Sequence, residues 1–171
     1  MAQTPAAAPI PLQGTVQIAF TPRDDAEGMI IAAINSARRQ ILVQAFSFTS
    51  RNLANALIAA KRRGVDVRLT ADREQTYSGE ANRVPELAKA GIPVALEVRY
   101  QNAHNKVMII DADLADSAVI TGSYNWTYAA QRRNAENVVI LRRNSEVARA
   151  YAANWHRHAA EALQYDRARE R

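Results

Sequence analysis

Short apolar runs separated by amphipathic stretches set the rhythm of this 171-residue chain. Residues 15–20 alternate in the manner of a half-buried strand. Thr21, Pro22, Arg23 and Asp24 then form a turn and a helix start. Behind them Met29, Ile30, Ala33, Ile34 and Ala37 recur at helical spacing. Residues 41–48, β-branched and aromatic, predict a second strand. Ser50 is placed to cap a helix whose Leu53, Leu57 and Ala60 face inward. Lys61, Arg62, Arg63 and Gly64 give that helix a cationic last turn and a stop.

Residues 65–69 predict a third strand, and a polar stretch over 72–78 leads to a short helix at 84–90 that stops at Gly91. Residues 92–98 are strand-like but interrupted by Pro93. Two further strands, 107–110 and 118–121, are joined through a turn at Ala112 and Asp113. A loop or helical turn at 126–133 precedes the strand 136–141. Asn144 caps a long last helix with Val147, Tyr151, Trp155 and Ala162 along its inner face, and 164–171 reads as a charged, frayed end. Helices and strands alternate in the first half, and strands become neighbours in the second. The predicted fold is therefore α/β, a mixed β-sheet flanked by helices on both faces. One domain is expected over 15–165, with a flexible leading segment at 1–14 and a charged tail at 166–171.

Composition narrows the function only slightly. Lys and Arg outnumber Asp and Glu by 22 to 17, giving a net charge of +5 that suits an anionic partner. The absence of cysteine excludes a disulfide framework, a thiolate nucleophile and cysteine-ligated zinc. No apolar run approaches the roughly 20 residues needed to cross a bilayer, so no stable membrane insertion is expected. Residues 1–14 lack a basic start and a continuous apolar run, and as written are not a signal peptide. From Ala2 and Gln3 onward they resemble the mature start of an exported protein behind a restored initiator Met. A periplasmic or secreted location is the expectation, with the cytoplasm as the alternative.

The chemistry concentrates in one stretch. A strand sends alternate side chains to one face, so His104 and Lys106 point the same way from the start of the 107–110 strand. Ser123 and Asn125 repeat that spacing just after 118–121. An imidazole, an ammonium, a hydroxyl and a carboxamide brought together suit a phosphate group. A lone histidine beside a strand is ordinarily a satisfied polar residue, and it is the neighbours of His104 that change this reading.

His104-x-Lys106, then Asp111 after four intervening residues, then Gly122-Ser123-x-Asn125, resembles the H-x-K-x4-D and G-S-x-N signature of the phospholipase D superfamily. Glu136 also stands where short members of that family carry a glutamate. The likeness is greatest to small bacterial nonspecific endonucleases with one motif per chain, and it runs from about Val16 to the last helix. One departure is a longer turn at 112–117, which a surface tolerates.

The resemblance implies a nuclease-like fold and the following roles. His104 would attack phosphorus and form a covalent phosphohistidine. Lys106 and Asn125 would hold the phosphoryl oxygens, and Ser123 would support the phosphate or its loop. Glu136 would accept a hydrogen bond from His104 and fix its tautomer. Asp111, at the far end of the strand, reads as a structural residue, as does Gly122. A second imidazole must protonate the leaving group. The other histidines, His156 and His158, point to different sides of the last helix and make no matched pair. A twofold homodimer with a His104 from each copy in one site resolves this, and the family resemblance implies the same.

Arg132 and Arg133, between Asn125 and Glu136, are candidates for a nucleic-acid backbone. Phe48, Tyr100 and Trp126 are candidates for stacking on bases, whereas Phe46 reads as core. Asp24, Asp25, Asp111, Asp113 and Asp116 make no recognisable ligand set with a histidine, and Lys106 would repel a cation beside His104. The expectation is therefore a phosphodiesterase needing no metal or other cofactor. A nonspecific endonuclease acting on DNA, with RNA as a second candidate substrate, is the leading reading. A phospholipase D or cardiolipin-type hydrolase is the alternative, and a nucleic-acid-binding protein without catalysis ranks behind both.

Overall fold

Three apolar runs, 40–45, 66–72 and 94–97, become neighbouring parallel strands, because a helical crossover joins each to the next and returns the chain to the same side. The computed structural model describes residues 7–78 and 81–165. Its elements are β1 (Thr15–Thr21), α1 (Ala26–Ser36), β2 (Gln40–Ala45), α2 (Arg51–Arg62), β3 (Asp66–Asp72), α3 (Arg73–Tyr77), α4 (Val84–Lys89) and β4 (Val94–Glu97). The second half adds β5 (Lys106–Ile110), β6 (Ala118–Gly122), α5 (Tyr128–Arg132), β7 (Glu136–Arg142), α6 (Ser145–Glu161) and β8 (Leu163–Gln164). They build one mixed sheet in the order β1-β7-β6-β5-β2-β3-β4-β8. β2, β3 and β4 are parallel, whereas β5, β6, β7 and β1 continue antiparallel from β2.

Alternation along the strands separates two cores. Val43, Met108, Ile120 and Ile140 face one way, onto Ile30 and Ile34 of α1 and Leu53 and Leu57 of α2. Leu42, Val107, Ile109 and Val119 face the other way, onto Ala148, Ala152 and Trp155 of α6. Helices therefore cover both faces. α6 packs across β2 to β6. Beyond its reach Val16, Ile18 and Phe20 stay exposed along the edge strand β1.

Several expectations change. The strand expected to reach residue 48 ends at Ala45 because the chain leaves the sheet to meet Trp126. Phe48 forms an isolated bridge with Trp126, and the Thr49 and Ser50 N–H groups both donate to the Trp126 carbonyl. The polar stretch after β3 contains a helix, α3, because Asp72 caps it by accepting from the Gln75 N–H. On α6 the fully buried line runs through Ala148 and Ala152 to Trp155, with Val147 and Tyr151 flanking it and Ala162 past the helix end. The end expected to fray from residue 164 instead forms β8 against β4, and the Tyr165 N–H donates to the Val94 carbonyl at 3.0 Å. The leading segment lies partly, and the charged tail at 166–171 wholly, outside the described residues. Of the leading segment, the Pro11 carbonyl accepts a hydrogen bond from Asn144 Nδ2 at 2.9 Å.

Candidate active site

Register brings the signature residues to one end of the sheet. Lys106 opens β5 opposite Ala45 at the close of β2, Gly122 closes β6 opposite Val138, and Glu136 opens β7 opposite Thr21 at the close of β1. Parity then places Lys106 with Met108 and Ile110, and Glu136 with Val138 and Ile140, on the face covered by α1 and α2. Gly122 is required at its position. Its φ is +147°, and a Cβ there would lie 2.2 Å from the Asn137 carbonyl oxygen.

His104 lies just before β5 and is exposed, whereas Lys106 is buried. The Lys106 Nζ is 2.8 Å from His104 Nδ1 and donates to the His104 carbonyl at 2.6 Å. An ammonium only donates, so Nδ1 accepts and the ring proton sits on Nε2. Burial pushes Lys106 below the ordinary lysine pKa, and the Glu136 carboxylate works against that shift. Phe46 completes the surroundings. Its ring centroid is 4.4 Å from that of His104, with Lys106 Nζ 4.9 Å away over the same ring.

Glu136 does not orient His104 within the protomer, contrary to expectation. Its carboxylate accepts from Ser123 Oγ at 2.6 Å and from Asn134 Nδ2 at 3.0 Å. Ser123 in turn accepts from the Asn137 N–H at 3.0 Å, so Ser123 and Glu136 hold each other. The imidazole is held by Lys106. Asn125 is half-buried, and its Oδ1 is enclosed without a partner among the described residues. Thr21, expected only as part of a turn, steadies this corner. Its hydroxyl donates to the Ala130 carbonyl at 2.7 Å and accepts from the Glu136 N–H at 3.2 Å.

Asp111 lies at the opposite end of β5. Its φ is +50°, and its carboxylate accepts from the N–H groups of Arg38, Arg39 and Gln40 at 2.8 to 2.9 Å. We expect Asp111→Ala to lower unfolding stability by about 2–3 kcal/mol, since three N–H donors lose a charged acceptor. Chemical denaturation reads that loss, and kcat of the folded variant should stay within about twofold because the site is at the other end of the strand.

The aromatic assignments exchange places. Phe48 and Trp126 are each 1% exposed and have no face to offer a base. Trp126 is buried because its Nε1–H donates to the Gln44 carbonyl at 2.9 Å across the bridge to Phe48. Phe46, read as core, is half-buried beside the imidazole. Tyr100 is exposed and stacks on His158 with ring centroids 5.1 Å apart. The His158 side chain reaches inward from α6, its Nδ1 2.6 Å from Glu97 Oε2. That pair joins residues 61 apart in the chain and left no local sequence signal. Arg132, the last residue of α5, and Arg133, its C-cap, are exposed, Arg133 lying 5.8 Å over the Tyr128 ring. Among the described residues no group of three or more His, Asp or Glu side chains is arranged to hold a metal ion. No described helix is long and apolar enough to cross a membrane.

Comparison with known proteins agrees with this geometry. The profile of the cardiolipin synthase, PLD-like domain family matches residues 30–159. Phospholipase D of Rickettsia felis is 39% identical over 144 residues, covering 84% of this chain and 69% of that protein. The mitochondrial cardiolipin hydrolase of Xenopus laevis is 29% identical over 134 residues, covering 78% of this chain and 61% of that protein. Among solved structures, Nuc from Salmonella typhimurium, a phospholipase D family member, superposes with a TM-score of 0.82 at 33% identity, covering 88% of this chain and 97% of that one. With His104 and Lys106 paired at a strand start and Ser123, Asn125 and Glu136 gathered at the same sheet end, this chain belongs to the phospholipase D superfamily and is a phosphodiesterase of that family.

Proposed function

We propose that this phosphodiesterase is a metal-independent, nonspecific endonuclease that cleaves DNA through a phosphohistidine on His104, with RNA as a second candidate substrate. The observation that carries the reading is the exposed imidazole with its Nδ1 2.8 Å from a buried ammonium. A phosphate arriving there competes for Lys106, and the exchange uncovers a ring lone pair that attacks phosphorus. Lys106 and Asn125 hold the phosphoryl oxygens as charge builds on them. The leaving alkoxide then needs a proton. His156 and His158 belong to α6, and His158 is bonded to Glu97, so neither stands ready to supply it. The His104 of a second copy, across a twofold axis, gives the proton and then activates the water that breaks the phosphorus–nitrogen bond. Val16, Ile18 and Phe20, exposed along β1, support self-association.

The net charge of +5 and the exposed Arg132 and Arg133 favour a polyanion. The second reading, a lipid phosphodiesterase using the same residues, is favoured by the names of the phospholipase D and cardiolipin hydrolase relatives. Parallel assays on plasmid, RNA and phosphatidyl vesicles in EDTA separate the two. The expected outcome is plasmid nicking in EDTA by a species that sediments as a dimer. Strict metal dependence sinks the mechanism, an active monomer sinks the shared site, and turnover of vesicles alone gives the lipid reading its place.

A further inference from the structure

Beside the signature residues lies a feature that the reaction does not use. Between α3 and the 98–105 loop that delivers His104 is a cavity of about 360 Å³, within the range that admits small ligands. Its lining includes Asp72, Arg73, Tyr77, Glu97, Tyr100 and Gln101. Asp72 and Glu97 are register partners at the ends of β3 and β4, so the cavity opens at the same end of the sheet as Lys106 and Ala45.

Both inner carboxylates are already engaged. Asp72 accepts from the Gln75 N–H through one oxygen and from the Ala103 N–H through the other, each at 2.9 Å. Glu97 meets His158 Nδ1 at 2.6 Å. What remains available is aromatic and amphipathic. Tyr77 and Tyr100 are 40% and 46% exposed, and each is braced by another ring, Tyr165 at 6.4 Å and His158 at 5.1 Å. Gln101 adds an amide and Arg73 a guanidinium. A phosphate would meet Glu74, Asp72 and Glu97 here, whereas a flat, uncharged ring with hydrogen-bonding edges fits these walls.

The cavity also touches the nucleophile through the backbone. Ala103, held by Asp72, immediately precedes His104, and Tyr100 lies in the same loop. Resting on the endonuclease reading above, we propose that this cavity is a nucleobase subsite next to the cleaved phosphate. A paired base in a duplex keeps its faces stacked, so the subsite takes an unpaired base or one turned out of its stack.

The test is steady-state cleavage of short single-stranded oligonucleotides carrying one abasic position at a time around the cleaved bond. One position should raise KM about 10-fold when abasic, the scale of a lost base–aromatic stack. In Tyr100→Leu the intact oligonucleotide should already show that rise, and the same abasic position should add nothing further. Tyr100→Phe, which keeps the ring, should retain the sensitivity. Relative to an oligonucleotide abasic at every position, which offers no aromatic ring, Tyr100→Leu and Tyr77→Leu should each lose about 10-fold more kcat/KM on the intact oligonucleotide. Equal losses on both substrates overturn the subsite and leave Tyr100 as a loop-positioning residue. Turnover of oligonucleotides with no position sensitive to base removal also overturns it. Hydrolysis of bis(p-nitrophenyl) phosphate without any cleavage of nucleic acid removes the endonuclease reading, and the subsite with it.

Discussion

Replacing His104 by alanine should lower kcat by at least about 10⁴-fold, the scale of losing a nucleophile, without unfolding the protein. The side chain is exposed, and its contacts are one face of Phe46 and the Lys106 ammonium. Its removal should therefore shift unfolding stability by no more than about 1 kcal/mol. Rapid-quench kinetics with labelled substrate should find a phosphorylated intermediate in the unaltered protein and none in the variant. Persistent turnover would mean that another group attacks phosphorus. A mixed dimer holding one His104→Ala copy should be as inactive as the doubly substituted one, because nucleophile and acid come from different copies. Half activity from mixed dimers would instead favour two independent sites.

Lys106→Met should separate stability from activity. The lysine is buried and its pKa is held down by burial, so the folded state bears the cost of keeping an ammonium there. Between that lowered value and the ordinary 10.5 the unfolded chain binds more protons than the folded one. The contribution of Lys106 to stability therefore rises with pH across this window and is least favourable below it. Methionine removes both the cost and the slope, so at neutral pH the variant should unfold at higher denaturant concentration. Activity should move the opposite way, with kcat falling about 10²- to 10³-fold as the phosphoryl oxygens lose their cation. In the unaltered protein, turnover should also decline on the alkaline side earlier than an ordinary lysine would allow. A variant both less stable and less active would make Lys106 a packing residue, and that outcome counts against its charge as the active element.

The sheet was legible because each strand carries its own alternation, and because the residues at its working end come from short, ordered spacings. His104 and Lys106 are two apart, as are Ser123 and Asn125, a spacing that gives each pair one side, and the antiparallel pairing of β5 with β6 brings the two pairs to one end of the sheet. What escaped depends on where the chain leaves the sheet. Phe46 and Phe48 look alike in sequence, but the bridge to Trp126 buries Phe48 and leaves Phe46 beside the imidazole. The partner of Glu136 was misjudged for a similar reason. Asn134 is two residues from it and Ser123 reaches it from just past β6, so each carboxylate oxygen already accepts a hydrogen bond inside the protomer. α3 is only five residues long and is identified by its Asp72 cap rather than by any apolar stripe.

The Asp111 clamp has a meaning beyond stability. It ties the last rung of β5 to the backbone that enters β2, at the end away from the phosphate site. Side chains alternate along a strand, so sliding β5 by one residue against β2 would turn Lys106 toward α6 and bring Val107 to its place. A carboxylate five residues from the ammonium thus acts as the zero mark of a ruler. The position of Lys106 is measured from the far end of its own strand, by a group that makes no contact with it.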